Sequence, residues 1–201
     1  PAIRKGVQQS PDLIKTEYLS LFSHYIATAA ASEHGALYCD HIDLAFLRND
    51  DRDSDFFHNI THIQVHRRAR AFLRLHRLLR DPANTHQIGV PSFVHILLPL
   101  TVYYLTSEEY TKKAYLNLME EVTQLIGAIC SHLPWSHYMN TFRKMIRFLQ
   151  RADETKLKLM QTVVCVVLDN FHFELNDSPT TAMVIDESNE VDEENGEDKA
   201  G

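Results

Sequence analysis

Glycine is scarce, with six residues in 201, and no Asn-Gly or Asp-Gly pair lies between alternating apolar runs. Two-residue β-hairpins therefore have no material to form from. The same scarcity excludes the Gly-rich loops that cradle phosphates and the strained nucleophile elbow: G-x-x-x-x-G-K, G-x-G-x-x-G and G-x-S-x-G are all absent. The three cysteines, Cys39, Cys130 and Cys165, are far apart in sequence and odd in number. That spacing excludes paired zinc ligands and a complete disulfide set, so reduced thiols of an intracellular protein are expected, with Cys130 and Cys165 in the core. No run reaches the roughly 18 to 20 apolar residues of a membrane helix, and no membrane association is expected. The chain opens Pro1-Ala2-Ile3-Arg4, with neither an initiator Met nor a signal-peptide pattern, as expected of a segment cut from a longer protein.

What is present fits a packed helical domain: 44% of residues are hydrophobic and 23% charged. The net charge of −7 is unevenly placed. Residues 176–201 hold nine acids (Asp177, Asp186, Glu187, Glu190, Asp192, Glu193, Glu194, Glu197, Asp198) against Lys199, which leaves residues 1–175 at +1. This last stretch loses all apolar periodicity and cannot bury enough surface to offset the entropy of ordering, so a disordered acidic tail is expected over 176–201.

Apolar residues at three- and four-residue steps predict a first helix from Pro11-Asp12, through Ile14, Tyr18, Leu21, Phe22, Tyr25, Ile26 and Ala29. An acid-rich connection follows, Glu33 to Asp55, with an apolar patch at Ile42, Leu44, Phe46 and Leu47; a mostly irregular loop with one helical turn is expected. Phe56 to Arg80 contains no acid, no Gly and no Pro but six arginines, which reads as one long helix stopped by Asp81-Pro82. A third helix runs from Pro91 to about Tyr104, kinked at Pro99. Ser107, followed by Glu108 and Glu109, reads as the N-cap of a fourth helix through Leu116 and Ile129. A fifth starts at Ser136 and a sixth at Asp153. The chain thus divides into an N-terminal helix and connection (1–55), a helical-repeat segment (56–175) with its basic helix at 56–80, and the tail (176–201).

Pro91 and Pro134 each precede a first helix and lie 43 residues apart; Leu116 and Leu159, and Leu125 and Leu168, share that offset in the second helices. HEAT and armadillo units repeat every 40 to 47 residues or so, and a single hairpin cannot bury its apolar face without neighbours. The fold expected is all-α, a HEAT/armadillo-like solenoid segment, with an irregular helical bundle as the other reading of the pattern.

Twelve histidines include His58, His62 and His66 at four-residue steps, which on a continuous helix would share a face. The Glu of H-E-x-x-H is missing and no carboxylate lies nearby, so histidines hydrogen-bonded or partly buried on a helix, without metal, are expected. Paired carboxylates occur only in the Asp50 to Asp55 loop and in the tail, where nothing would hold them in a dry, preorganised geometry. No catalysis and no cofactor are expected. The arginine helix is the candidate binding element. At 100° per residue Arg67, Arg70, Arg74 and Arg77 fall within an arc of roughly 80°, while Phe72, Leu75, Leu78 and Leu79 gather on the other side. Guanidinium forks suit phosphate and acidic protein surfaces equally, and a solvated face balanced by the acid-rich loop is the third reading. No aromatic residue interleaves with the arginines on that arc, which disfavours base stacking on single-stranded RNA. Arg68 falls inside the apolar arc and fits neither role; a buried carboxylate partner or a bend would account for it.

The run Asp55-Phe56-Phe57-His58-Asn59-Ile60-Thr61-His62-Ile63-Gln64-Val65-His66-Arg67-Arg68-Ala69-Arg70-Ala71 resembles a signature of the U3-associated HEAT-repeat scaffold of the small-subunit processome, the down-regulated-in-metastasis family. Three further stretches resemble it in the same order: Val90-Pro91-Ser92-Phe93 with Ile96-Leu97-Leu98-Pro99-Leu100, then Cys130-Ser131-His132-Leu133-Pro134-Trp135, then Leu168-Asp169-Asn170-Phe171-His172-Phe173. The resemblance implies a segment of a very large nucleolar protein of helical repeats, working in pre-ribosomal RNA processing and small-subunit assembly. Its implied partners are pre-ribosomal RNA, the U3 small nucleolar ribonucleoprotein, other processome proteins and neighbouring repeats of the same chain. It implies no catalytic residue and no cofactor. A HEAT-type adaptor of nuclear transport and a helical accessory domain of an enzyme are the alternatives.

Overall fold

The computed structural model describes residues 12–84 and 87–174, apart from the side chains of residues 12–14 and 111. The expected acidic tail at 176–201 and the place of Ile14 in the first apolar stripe lie outside the described residues. Within them every regular element is helical and no strand occurs; no helix is long and apolar enough to cross a membrane.

Helix α1, Asp12–Ala30, buries Leu19, Phe22 and Ile26 and leaves Leu21 and Tyr25 outward, so its apolar stripe is narrower than expected. The connection to the next helix is ordered. It holds two 3₁₀ turns, Gly35–Leu37 and Ile42–Leu47, the second burying Leu44 and Leu47 against α1. Gly35 sits where a Cβ would lie 1.7 Å from the Ala29 carbonyl oxygen, which lets the chain fold back over the end of α1.

The long helix expected over 56–80 is two: α2, Phe56–Asn59, a single turn, and α3, Val65–Arg80. Local polar side chains divert the backbone between them. Asn59 Nδ2 donates to the Arg52 and Asp55 carbonyls, Gln64 N–H donates to the His62 ring, and the Tyr104 hydroxyl donates to the Ile60 carbonyl. Arg68 Nε donates to the His62 carbonyl at 2.6 Å. The bonds to the Ile60 and His62 carbonyls and from Gln64 N–H satisfy backbone groups that a continued helix would have paired, while Asn59 ties the turn back to the loop before α2.

After the loop, α4, Val90–Ser92, runs into a π-helical turn, Phe93–Leu97, and then α5, Leu98–Thr106. Pro99 explains the π turn. It has no N–H for the His95 carbonyl and its ring crowds that oxygen, so the backbone widens just before it and Leu98 N–H reaches Phe93 O instead. Ser107 does not cap the next helix. Two 3₁₀ turns, Glu108–Thr111 and Lys113–Tyr115, intervene because Tyr110 is drawn under the chain, its ring 4.9 Å from Tyr104 and 5.1 Å from Tyr115. Helix α6 starts at Leu116 and ends at Cys130; α7 is Trp135–Gln150, and α8 is Glu154–Asp169. Asp153 caps α8 by accepting from Lys156 N–H, as its sequence position predicts.

Helices α3, α6 and α8 form one row, α6 in the middle, with α5 packed on α6 and α7 on α8. Pro91 and Pro134 both stand at the start of the first helix of a hairpin, Pro134 as the N-cap of α7. The leucine offset is less regular. Leu125 is buried but Leu168 is 48% exposed, and Leu116 is 63% exposed although Leu159 packs against the core. The hairpins therefore stack without sharing an identical apolar register. Of the cysteines, Cys39 and Cys130 are buried and Cys165 is exposed, against the expectation that Cys165 is core. Burial pushes the Cys130 thiol up to about 12, which makes it a packing residue rather than a nucleophile.

Gly127 sets the spacing of α6 and α8: a Cβ there would lie 2.5 Å from Asn170 Nδ2 and 2.6 Å from Val166 Cγ1. Asn170 cannot swing aside freely, since its Nδ2 donates to Val166 O and its Oδ1 accepts from Arg80 Nη2 at 2.6 Å. In Gly127→Ala the helix-propensity gain of about 1 kcal/mol offsets part of an overpacking cost toward the upper end of about 1–3 kcal/mol, since both nearest atoms are held, so this variant is expected to lose up to about 2 kcal/mol in urea unfolding. An unchanged or raised midpoint would show that the two helices do not approach this closely.

Candidate nucleic-acid interface

Helix α3 carries its arginines on a surface whose shape is set by the loop before it. Asp55, almost fully buried, accepts from His58 N–H at 2.6 Å and from Asn49 N–H at 3.1 Å, and so caps α2 while closing the loop. Asp51 accepts from the Ser54 hydroxyl and from Asp53 N–H; these bonds, the serine's first, hold its carboxyl below the ordinary value. The loop so fixed delivers Asp53 to α3. Its carboxylate pairs with Arg67 at 2.8 Å and its carbonyl accepts from Arg74 Nη1 at 2.7 Å.

The four arginines expected to act together thus divide into two pairs. Arg67 and Arg74 are tied to Asp53 and, with Arg70, line a small cleft against it. Arg70 and Arg77 are exposed, and neither has a hydrogen bond or ion pair among the described residues. Arg77 lies within electrostatic reach of Glu121 on α6, whose carboxyl is raised by burial and by Glu120 and lowered by Arg77. The apolar side is as expected, with Phe72, Leu75 and Leu79 buried and Leu78 packed against the core.

Arg68, which fitted neither face, spans the break between α2 and α3. Besides its bond to the His62 carbonyl it donates to the Tyr110 hydroxyl at 2.9 Å and lies over that ring. Its partners are a carbonyl and a phenol in place of the expected carboxylate, and the helix does not bend at Arg68; the chain breaks before it, between Asn59 and Val65. The signal was available in Asp55, Asn59 and Thr61, residue types that bond locally to the backbone. Arg80 is committed too, reaching Asn170 at the end of α8.

The break also separates the histidines: His58 lies in α2, His62 in the turn and His66 in α3. The His62 ring accepts from Gln64 N–H, and its pKa is lowered first by desolvation and then by Arg67, His58, His66 and Arg68. It therefore adds no charge to the surface at neutral pH. Among the described residues no group of three His, Cys, Asp or Glu is placed to hold a metal ion.

The class these features define is an all-helical stack of solenoid type, with the basic helix α3 braced by an ordered acidic loop. No family model matches the chain. It is 30% identical over 165 residues to the U3 small nucleolar RNA-associated protein 20 of Saccharomyces cerevisiae, an alignment covering 82% of this chain and 6% of that protein. It is 26% identical over 174 residues to the protein of the same name from Schizosaccharomyces pombe, covering 83% of this chain and again 6% of the relative. These matches support a place for the chain among the homologues of these U3 small nucleolar RNA-associated proteins, of whose length it spans about 6%.

The two arginine pairs are expected to differ in what they do for the fold. Arg70→Gln with Arg77→Gln should change stability by no more than about 0.5 kcal/mol, whereas Arg67→Gln with Arg74→Gln removes both ties to Asp53 and should cost up to about 1 kcal/mol and loosen the loop. Urea unfolding with amide exchange of residues 48–55 checks this. Equal effects of the two pairs would contradict the division.

Proposed function

We propose that this chain is a non-catalytic scaffold segment of a small-subunit processome component, acting in pre-ribosomal RNA processing and small-subunit biogenesis in the nucleolus. The observation that carries the reading is the match over most of the chain to two proteins named for association with U3 small nucleolar RNA. Within that reading the hairpins are HEAT-type units and stack on neighbouring repeats of a long chain. Partners are pre-ribosomal RNA, the U3 ribonucleoprotein and other processome proteins.

The geometry supports a role in contact rather than chemistry. Four of the carboxylates around the surface are engaged in the fold: Asp55 and Asp51 close a loop, Asp153 caps a helix, and Asp53 pairs with Arg67. Cys130 is buried and strongly protonated. Arg70 and Arg77, by contrast, are exposed and make no side-chain hydrogen bond or ion pair among the described residues, which leaves their guanidinium forks open to a phosphate.

Depleting the full-length protein from cells is expected to lower mature small-subunit ribosomal RNA while sparing large-subunit species at first, since a scaffold stalls assembly without accumulating a substrate. Normal small-subunit maturation after complete depletion would overturn the proposal. Co-purification of transport cargo in place of processome components would favour an adaptor of nuclear transport.

A further inference from the structure

Helix α7 contains no acidic residue, and it packs through Tyr138, Thr141 and Met145, which are buried, the helix lying against α8. Its other side carries Arg143, Lys144 and Arg147, continued by Arg151 just past its end, all four exposed. With Asn140 and Phe148 they line one shallow depression. Arg143, Arg147 and Arg151 follow at steps of four, so each guanidinium stands about one helical turn, roughly 6 Å, from the next. Among the described residues none of these three makes a hydrogen bond or ion pair, unlike Arg67 and Arg74 on α3. Lys144 lies over the Phe148 ring at 5.7 Å, and desolvation by the side chains around it lowers its pKa.

Like charges at i and i+4 repel, and among the described residues no carboxylate pairs with them. Such a row raises the free energy of the isolated fold and is stabilised by an anion that spans it. We propose that the α7 face of Arg143, Lys144, Arg147 and Arg151 is a second nucleic-acid contact of this chain, taking the phosphate backbone of RNA without reading its sequence. The spacing of the charges suits a strand of successive phosphates. The face also lacks the buried aromatic or apolar centre around which protein interfaces concentrate their affinity. The choice of RNA over an acidic polypeptide rests on the proposed function; the patch itself does not.

The test uses the full chain and four proteins: the parent, a triple variant with Arg143→Gln, Arg147→Gln and Arg151→Gln, the same three positions changed to Lys, and the double variant with Arg70→Gln and Arg77→Gln. Each is titrated with poly-U and with a structured small-subunit precursor RNA at several salt concentrations, with thermal melting in parallel. At about 0.7–0.9 per phosphate contact, the triple variant should flatten the slope of log affinity against log salt by roughly 2 to 3 units, equally for both RNAs. Replacing the same three arginines by Lys should restore the slope, because a phosphate contact needs the charge first. Ultraviolet crosslinking of the parent to the precursor RNA should yield adducts within residues 140–151, a readout that does not depend on any variant folding. An unchanged salt slope with no adducts in that segment overturns the proposal, as does loss of binding to poly-glutamate with RNA affinity intact. Loss of RNA affinity in the α3 variant alone would sink this inference and leave the proposed function standing; parent protein that binds neither RNA would sink both.

Discussion

The C-terminal part of helix α6, Leu125 to Cys130, is buried on every side, and a helix end of that kind is stable in water only when enclosed. Leu118, Met119, Val122, Leu125, Ile126, Ala128, Ile129 and Cys130 are all buried, enclosed by α3, α5 and α8. The last turn leaves no room for a side chain on the α8 side, and Gly127 supplies the gap into which Val166 and Asn170 fit. The polar ties at this end of the molecule follow from that approach. Arg80 from α3 and the Val166 carbonyl both bond Asn170, His132 bonds the Leu79 carbonyl at 3.0 Å while stacking on Phe93, and the Tyr138 hydroxyl donates to the Val167 carbonyl. With α6 fixed, α3 and α7 each turn their apolar side inward, and their basic sides are left at the surface as a consequence of packing.

The two basic helices are not equivalent. On α3 the acid-rich loop partly neutralises the stripe through Asp53, which stiffens one edge of the surface and leaves Arg70 and Arg77 open. On α7, among the described residues, no acid pairs with the arginines. A sequence-independent phosphate contact needs charge held in register more than it needs shape, and a helix braced along its far side provides it. The Asp55 and Asn59 bonds at the α2–α3 break belong to the same device, since they hold the loop that aims Asp53.

Much of the architecture was legible because it depends on apolar periodicity. The stripes that place α1, α3, α6, α7 and α8, the Asp153 cap and the prolines ahead of each hairpin all express local rules. What was not legible depends on partners distant in sequence or on backbone bonding by side chains. Nothing within 56–80 announces that Tyr104 and Tyr110 will hold the turn after Asn59 through the Ile60 carbonyl and Arg68. Ser107 looks like an N-cap until Tyr110 is buried, and Cys165 looks like core until α8 is seen to pack through Val163, Val164 and Val167. At the candidate site the arc of Arg67, Arg70, Arg74 and Arg77 could be read from 100° geometry, but its division into two pairs could not, because Asp53 reaches it from a loop whose fold the sequence pattern does not specify. The α7 patch went unread for a different reason: its arginines are interleaved with Met145, Ile146 and Phe148, so the apolar stripe dominated the pattern.

If α6 is the element on which the rest is built, its amides should open only when the whole domain unfolds. Native-state hydrogen exchange across a urea series measures this directly. Residues 118–129 should exchange with the global free energy of unfolding and share its denaturant dependence, while α1 and the 48–55 loop exchange through smaller openings. Exchange of residues 118–129 at lower free energy than the amides of α3 or α8 would contradict the account.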